Sequence, residues 1–287
     1  MEIYLNGQFV SKEDAKVSVF DHGFLYGDGG FEGIRAYHRC VFRLKQHIDR
    51  LYETAHTLMI DIPMTRSEMM EAVVETLKRN GITDGYVRLI VTRGEGDLGL
   101  DPKKCKGEPN IVIIADKIVL YPKEFYENGM EIITVPTVRN HPDALNPQLK
   151  SLNYLNNILA KIEAGNAGFK EAIMMDAGGY VAECTGDNIF IVKKGALSTP
   201  MEGRLEGITR DAVIDIAKKE RVPVEEAWIT RHEIYNAEEC FLTGTAAEIV
   251  PIVKVDGRVI GSGTPGPLTL KLLARFQDLV KKDGVKY

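Results

Sequence analysis

At 287 residues the chain exceeds the usual size of one hydrophobic core, so one large or two medium domains are expected. Apolar residues at 44% and charged residues at 27% suit an ordinary globular protein, and a net charge of −5 lacks the basic excess of a nucleic-acid surface. Four scattered cysteines without a CxxC predict free thiols rather than a zinc site or disulfide framework, and with neither a leader nor a run of ~18 apolar residues this points to the cytoplasm and away from membranes.

In chain order, Met1 to Val10 predicts a hairpin turning at Asn6-Gly7, a dipeptide that accepts positive φ. The glycine-rich Asp21 to Gly33 returns to a strand over Phe31 to Tyr37. Leu44, Ile48, Leu51, Ala55 and Leu58 recur at helical spacing, and a second amphipathic helix runs from about Ser67 to Arg79. Strands follow at Tyr86 to Thr92 and Ile111 to Ala115, separated by a polar loop, Gly94 to Pro109, too long for a simple connection. Leu120 to Gly129 reads as an interdomain linker or a short helix. Beyond it the order is a strand (Ile132 to Val138), a helix (about Ser151 to Ala164), a strand (Ala172 to Met175) and a Gly178-Gly179 turn. A strand (Ile189 to Val192) and a helix (Ile208 to Arg221) come next. Strands near Val224, Phe241 and Val253 precede a helix from about Pro267. Mixed but not alternating elements predict an α+β chain, with a smaller domain over 1–119, a linker over 120–129 and a larger domain over 130–287.

Lys150 precedes the apolar series Leu152, Leu155, Ile158, Leu159 and Ile162, which places it at the N-terminal end of the expected helix. A lysine there is readily a solvated surface residue, but the positive helix end would also favour the neutral amine that Schiff-base chemistry needs. Glu183, between strand-like runs, is either a rim charge or the counter-ion of a buried cationic ring nitrogen. Gly207-Ile208-Thr209-Arg210 opens a helix, where free N–H groups suit phosphate, although any helix start looks alike. Thr243-Gly244-Thr245-Ala246-Ala247 puts two hydroxyls on a small-residue turn, or is an ordinary loop. Gly27-Asp28-Gly29-Gly30 is neither a P-loop nor a dinucleotide fingerprint, His22 and His47 have no metal-like partners, and no nucleophile elbow is present.

Taken together, these segments resemble the class IV aminotransferases, the fold-type IV pyridoxal-phosphate enzymes, over nearly the whole chain. The blocks are Tyr26 to Arg35, His47 to Leu51, Lys150 to Tyr154, Glu183 to Phe190, and Gly207 to Arg210 with Thr243 to Glu248, all in the family's order. The resemblance implies two domains with pyridoxal 5'-phosphate at their interface and no metal. By that resemblance Lys150 would carry the cofactor and shuttle the catalytic proton. Glu183 would pair with the ring nitrogen and Tyr154 with the ring oxygen. Arg50, Gly207, Ile208, Thr209 and Thr245 would hold the phosphate.

Within the family the chain is most similar to the branched-chain subgroup. Transamination of leucine, isoleucine and valine with 2-oxoglutarate is thereby implied, and so are amino acids and 2-oxo acids as small-molecule partners. Tyr26, Phe31 and Tyr86 would wall an apolar pocket, Ala246 would lie on the carboxylate side, and Arg88 near the mouth. Cys184 stands where many relatives carry glycine, and Tyr121 is a candidate pocket tyrosine. Alternatives of the same fold are a D-amino-acid transaminase and an aminodeoxychorismate lyase. The first typically carries a basic pair on the Tyr86 to Arg93 strand, and no histidine lies two residues beyond Arg88; the Phe31 to Arg35 block argues against the second. The resemblance also implies a homodimer or higher homo-oligomer with shared sites, the Gly94 to Pro109 loop reaching a neighbour.

Overall fold

The computed structural model describes residues 1–118 and 121–287, which fall into two compact units. The first unit holds Met1–Ile118, Leu149–Asn153 and Val280–Tyr287, so it is not one continuous stretch of chain. Its sheet contains β1 (Glu2–Leu5), β2 (Gln8–Ser11), β3 (Gly29–Tyr37), β4 (Cys40–Phe42), β5 (Gly85–Thr92) and β6 (Ile111–Asp116). With a C-terminal strand, Gly284–Lys286, the order is C-terminal strand, β4, β3, β5, β6, β1, β2, antiparallel throughout. Asn6 and Gly7 both take positive φ, the backbone a tight hairpin turn requires. Besides the short α1 (His22–Tyr26), two helices cover one face of the sheet, α2 (Leu44–Thr57) and α3 (Arg66–Arg79). Thr65 and Glu68 cap α3 reciprocally, satisfying N–H groups that would otherwise lack partners.

Strand periodicity divides this sheet into two faces. Ile34, Val87, Leu89 and Ile113 point into a core shared with Leu44, Ile48, Leu51, Met69, Val73 and Leu77. Phe31, Gly33 and Arg35 lie opposite Ile90, Arg88 and Tyr86 in register, and so share the other face.

The second unit holds the remaining described residues up to Gln148 and Tyr154–Leu279. Its strands are β7 (Met130–Thr134), β8 (Ala172–Met175), β9 (Val181–Cys184), β10 (Asn188–Lys193), β11 (Ala196–Pro200), β12 (Val224–Ala227), β13 (Glu239–Gly244), β14 (Glu248–Val255) and β15 (Arg258–Val259). The sheet order is β12, β11, β10, β13, β14, β7, β8, β9, with β15 beside β14. The pairs β11–β12, β14–β7 and β7–β8 are parallel and the others antiparallel, the mixed arrangement expected of an α+β chain. Its helices are α4 (Lys123–Asn128), α5 (Pro142–Leu145), α6 (Leu155–Asn166), α7 (Ile208–Lys219), α8 (Arg231–Tyr235) and α9 (Pro267–Leu279). Phe190 and Phe241 stack at 5.0 Å in register between β10 and β13. Buried Glu239 receives the Leu268 and Thr269 amides at 3.0 and 2.7 Å, anchoring the start of α9.

Two expectations need correction. The strand expected over Ile132 to Val138 runs from Met130 to Thr134, ending before Pro136, which has no N–H for a ladder. The helix expected from Ser151 begins at Leu155, so Lys150 does not stand at a helix N-terminus. The intervening residues are extended along β3 instead: Ser151 bridges Gly30, the Phe31 amide donates to Lys150 O at 3.0 Å and the Leu152 amide to Gly29 O at 2.9 Å. The expected linker over 120–129 begins on a residue outside the described set, and its later part forms α4.

Candidate active site

In the first unit, pairing with β3 aims Lys150 at the face opposite the helices. Its Nζ lies 4.6 Å from the Phe31 ring centre. The Arg88 guanidinium sits 4.5 Å over the same ring and 5.8 Å from that of Tyr86. Gly33 leaves the room: a Cβ there would overlap the Tyr86 hydroxyl. Lys150, Phe31, Tyr86 and Arg88 are thus brought together by strand register alone. Tyr26 is 38% exposed and donates to Leu98 O at 2.5 Å, tying α1 to the long loop.

Arg50 of α2 is buried and committed to Glu32 of β3, with Nε–Oε1 and Nη2–Oε2 at 2.7 and 2.8 Å. His47 Nδ1 contacts the same carboxylate at 2.7 Å. Burial alone would raise the Glu32 pKa, but the Arg50 charge and the His47 contact bring it down to about 2. Burial pushes the His47 imidazole down, favouring a neutral ring that donates through Nδ1. Glu32 and His47 had no assigned role in the sequence; only their flanking positions in the Tyr26 to Arg35 and His47 to Leu51 blocks hinted at one.

In the second unit, Glu183 of β9 is buried and surrounded by donors. Oε1 accepts from Arg139 Nε at 2.8 Å; Oε2 accepts from the Leu205 amide at 2.9 Å and Asn188 Nδ2 at 3.3 Å. Asn188 also donates to Leu205 O at 2.9 Å, so one amide joins the carboxylate to the segment leading into α7. Gly207, the N-cap of α7, admits no side chain because a Cβ would overlap Asn188 Oδ1. Ile208 and Thr209 follow as the first helical residues, both buried, and no side chain caps their end. Thr245 and Ala246 occupy the turn between β13 and β14. Beside it, the buried Thr243 Oγ1 has no hydrogen-bond partner among the described residues. Tyr154, half-buried, precedes α6.

Tyr121 is buried and its hydroxyl lies 3.2 Å from Glu171 Oε2 and 3.4 Å from Asp187 Oδ2, which engages it in an internal cluster. Tyr126, which sequence reasoning passed over, donates to Ala247 O at 2.9 Å beside the Thr245 turn. Cys184 is fully buried in β9 without positive φ, so the strand accepts it where a glycine was the alternative. Arg139 and Asn188 were also missed; no periodic or motif signal surrounds Arg139 in the sequence, while Asn188 lay inside a recognised block without a role. Among the described residues no cluster of three His, Cys, Asp or Glu could hold a metal, and no helix is long and apolar enough to cross a membrane.

Residues 29–255 match the family model described as amino-transferase class IV. A Methanocaldococcus jannaschii protein that carries the branched-chain-amino-acid aminotransferase name provisionally is 56% identical, covering 100% of this chain and 99% of its own. The crystal structure of the Escherichia coli branched-chain amino acid aminotransferase superposes with a TM-score of 0.95 at 35% identity, covering 99% of this chain and 96% of that one. The T.th. branched-chain amino acid aminotransferase, solved with pyridoxamine 5'-phosphate, gives 0.93 at 39% identity, over 97% and 93% of the two chains.

Proposed function

We propose that this chain, which belongs to the class IV aminotransferase family, transfers the amino group of L-leucine, L-isoleucine and L-valine to 2-oxoglutarate with pyridoxal 5'-phosphate as cofactor, yielding branched-chain 2-oxo acids and L-glutamate. The observation that carries the reading is Lys150 laid along β3, its amine over Phe31 on the sheet face that also bears Tyr86 and Arg88.

The residues suit such a cofactor. A buried, unpartnered Thr243 hydroxyl beside the Thr245 turn, an uncapped α7 opening on a glycine that no Cβ could replace, and a buried carboxylate ringed by donors are features that a phosphate and a protonated ring nitrogen would complete. When bound, pyridoxal phosphate supplies an aldehyde carbon that takes up amines and a ring that withdraws electrons from the substrate Cα.

In this reading the Lys150 amine would hold the cofactor and would take and return the proton at the substrate Cα. Glu183 accepts from the ring nitrogen, and Tyr154 donates to the ring oxygen. The Ile208 and Thr209 amides, Gly207, Thr245 and Arg50 hold the phosphate, Arg50 being fixed by Glu32 and His47. Tyr26, Phe31 and Tyr86 exclude water around the aliphatic side chain, with Ala246 beside the α-carboxylate. Arg88, above two aromatic faces, receives the γ-carboxylate of glutamate.

A smaller domain over 1–119 and a larger one over 130–279, joined at 120–129, belong to the same reading, with residues 149–153 and 280–287 going to the smaller one. So do a cytoplasmic setting, where the four free cysteines stay reduced, and a homo-oligomer of at least two chains. The apolar stripe on α6, Leu155, Ile158, Leu159 and Ile162 at 48–66% exposure, supports association.

The test is turnover of L-leucine with 2-oxoglutarate. The parent should form 4-methyl-2-oxopentanoate and glutamate, and Lys150→Ala should lose the rate by orders of magnitude together with borohydride-fixable cofactor. Covalent fixation persisting in Lys150→Ala, or turnover confined to D-amino acids, would overturn the assignment.

A further inference from the structure

Arg139 lies outside every recognised block, yet it is 6% exposed and spends its Nε on Glu183. Its place is built rather than incidental. The Arg139 amide donates to Met175 O at 2.8 Å, next to the β8–β9 pair. Nη1 reaches Asn156 Oδ1 on α6 at 3.2 Å, and Asn156 Nδ2 returns to Val138 O at 2.8 Å. On its other oxygen Glu183 meets, among the described residues, the Leu205 amide and the Asn188 side-chain amide. All three partners donate, so the surroundings match a carboxylate; an acid O–H would find no acceptor among them. Asp187, on the turn between β9 and β10, is an electrostatic neighbour of both Glu183 and Glu171, and Glu171 is paired with Lys161 of α6.

We infer that Arg139 is a positioning residue which shares the Glu183 carboxylate with the cofactor's ring nitrogen and so limits how tightly that nitrogen holds its proton. The inference rests on the assignment of Glu183 to the ring nitrogen. A carboxylate that already accepts a hydrogen bond from a guanidinium is a weaker base and a weaker acceptor toward a second donor, and in a buried site salt screens the interaction much less. Arg139 therefore does more than hold the unit together: it sets the strength of the electron sink. Without the guanidinium, the ring proton would be bound more tightly.

The measurement is the ¹⁵N resonance of ring-labelled pyridoxal phosphate bound to the folded holoenzyme, followed against pH. Arg139→Gln keeps an amide donor and removes the charge. It should retain the ring proton to a pH at least one unit higher than the parent, a tenfold change in proton affinity. Arg139→Lys, which keeps the charge, should titrate like the parent. Arg139→Met removes the charge while filling the same space, so it should move the profile upward as well; this arm decides the matter if Arg139→Gln does not fold. In the Glu183→Gln background, Arg139→Gln should leave the profile unmoved. A titration unaffected by both Arg139→Gln and Arg139→Met, or an equal shift with Glu183 already replaced, would overturn the inference. If Glu183→Gln itself left the ¹⁵N signal unchanged, the assignment of Glu183 would fail instead.

Discussion

Arg88 shows how much a single side chain can be asked to do. A branched-chain aminotransferase must take an isobutyl group and then a γ-carboxylate into one pocket, and an apolar wall rejects the second unless a cation meets it. Strand alternation puts Arg88 on the face of Tyr86, and its guanidinium lies over Phe31 at 4.5 Å, a stacking that orders the cation without consuming its planar donors. Arg88→Ala should lower kcat/KM for glutamate and 2-oxoglutarate roughly thirtyfold or more, within the ~2 to 5 kcal/mol typical of truncating one partner of a partly buried charge pair. For leucine and its 2-oxo acid the loss should stay within several-fold. Half-reaction kinetics separate the two; parallel losses would mean that Arg88 serves the α-carboxylate common to both substrates. The type and order of such residues were legible in the sequence because motif blocks preserve them. Their partners were not: Glu32 with Arg50 and Arg139 with Glu183 meet across 18 and 44 positions of chain, and only the folded sheet brings them together.

At the scale of elements, periodicity located α2, α3, α7 and most strands of both sheets, since each must put one apolar face inward, but not β4, β11, β15 or the C-terminal strand. It misjudged the region after Lys150 for a physical reason. Leu152 continues the spacing of Leu155, Ile158, Leu159 and Ile162, but its backbone is held by Gly29, a pairing 123 positions away that no local pattern encodes. Periodicity also says which side of a helix is apolar and not what covers it. In α6 the buried residues are Asn157, Ala160 and Ala164, while the larger aliphatic side chains face outward. Self-association would bury them. Replacing Leu159 and Ile162 together by glutamate should shift the protein toward a smaller species by sedimentation velocity. Each change should cost the isolated chain only about 0.5 kcal/mol or less, as exposed positions usually do. An unchanged sedimentation coefficient would place the oligomer contact elsewhere.

Across the whole molecule, the two units carry buried carboxyls with opposite responses to pH. In the first, Glu32 titrates at about 2 against an ordinary value of 4.5 because of Arg50 and His47. Such a group stabilises the fold above pH 4.5, and the contribution drains away as pH falls toward 2; it is on the order of 3 kcal/mol when complete. In the second, burial and then the negative charge of Glu171 raise Asp187 to about 7, against 3.8 in the unfolded chain. The folded state there binds the extra proton, so stability is full below pH 3.8 and is lost as pH rises through 7. The Tyr121 hydroxyl, at 3.2 and 3.4 Å from the two carboxyls, favours the charged form of Asp187 by donating to it, but burial and the Glu171 charge outweigh that bond. Asp187→Asn should therefore be little different from the parent near pH 4 and more stable above pH 7, by ~2 to 4 kcal/mol. Glu32→Gln should do the reverse, being destabilised at pH 7 and converging on the parent as pH falls toward 2. Denaturant unfolding of each variant across pH 3 to 8 checks both, with a fluorescence probe in each unit to keep the transitions apart. A constant difference from the parent at every pH, for either variant, would mean that its carboxyl contributes through packing and not through the proton it holds or refuses.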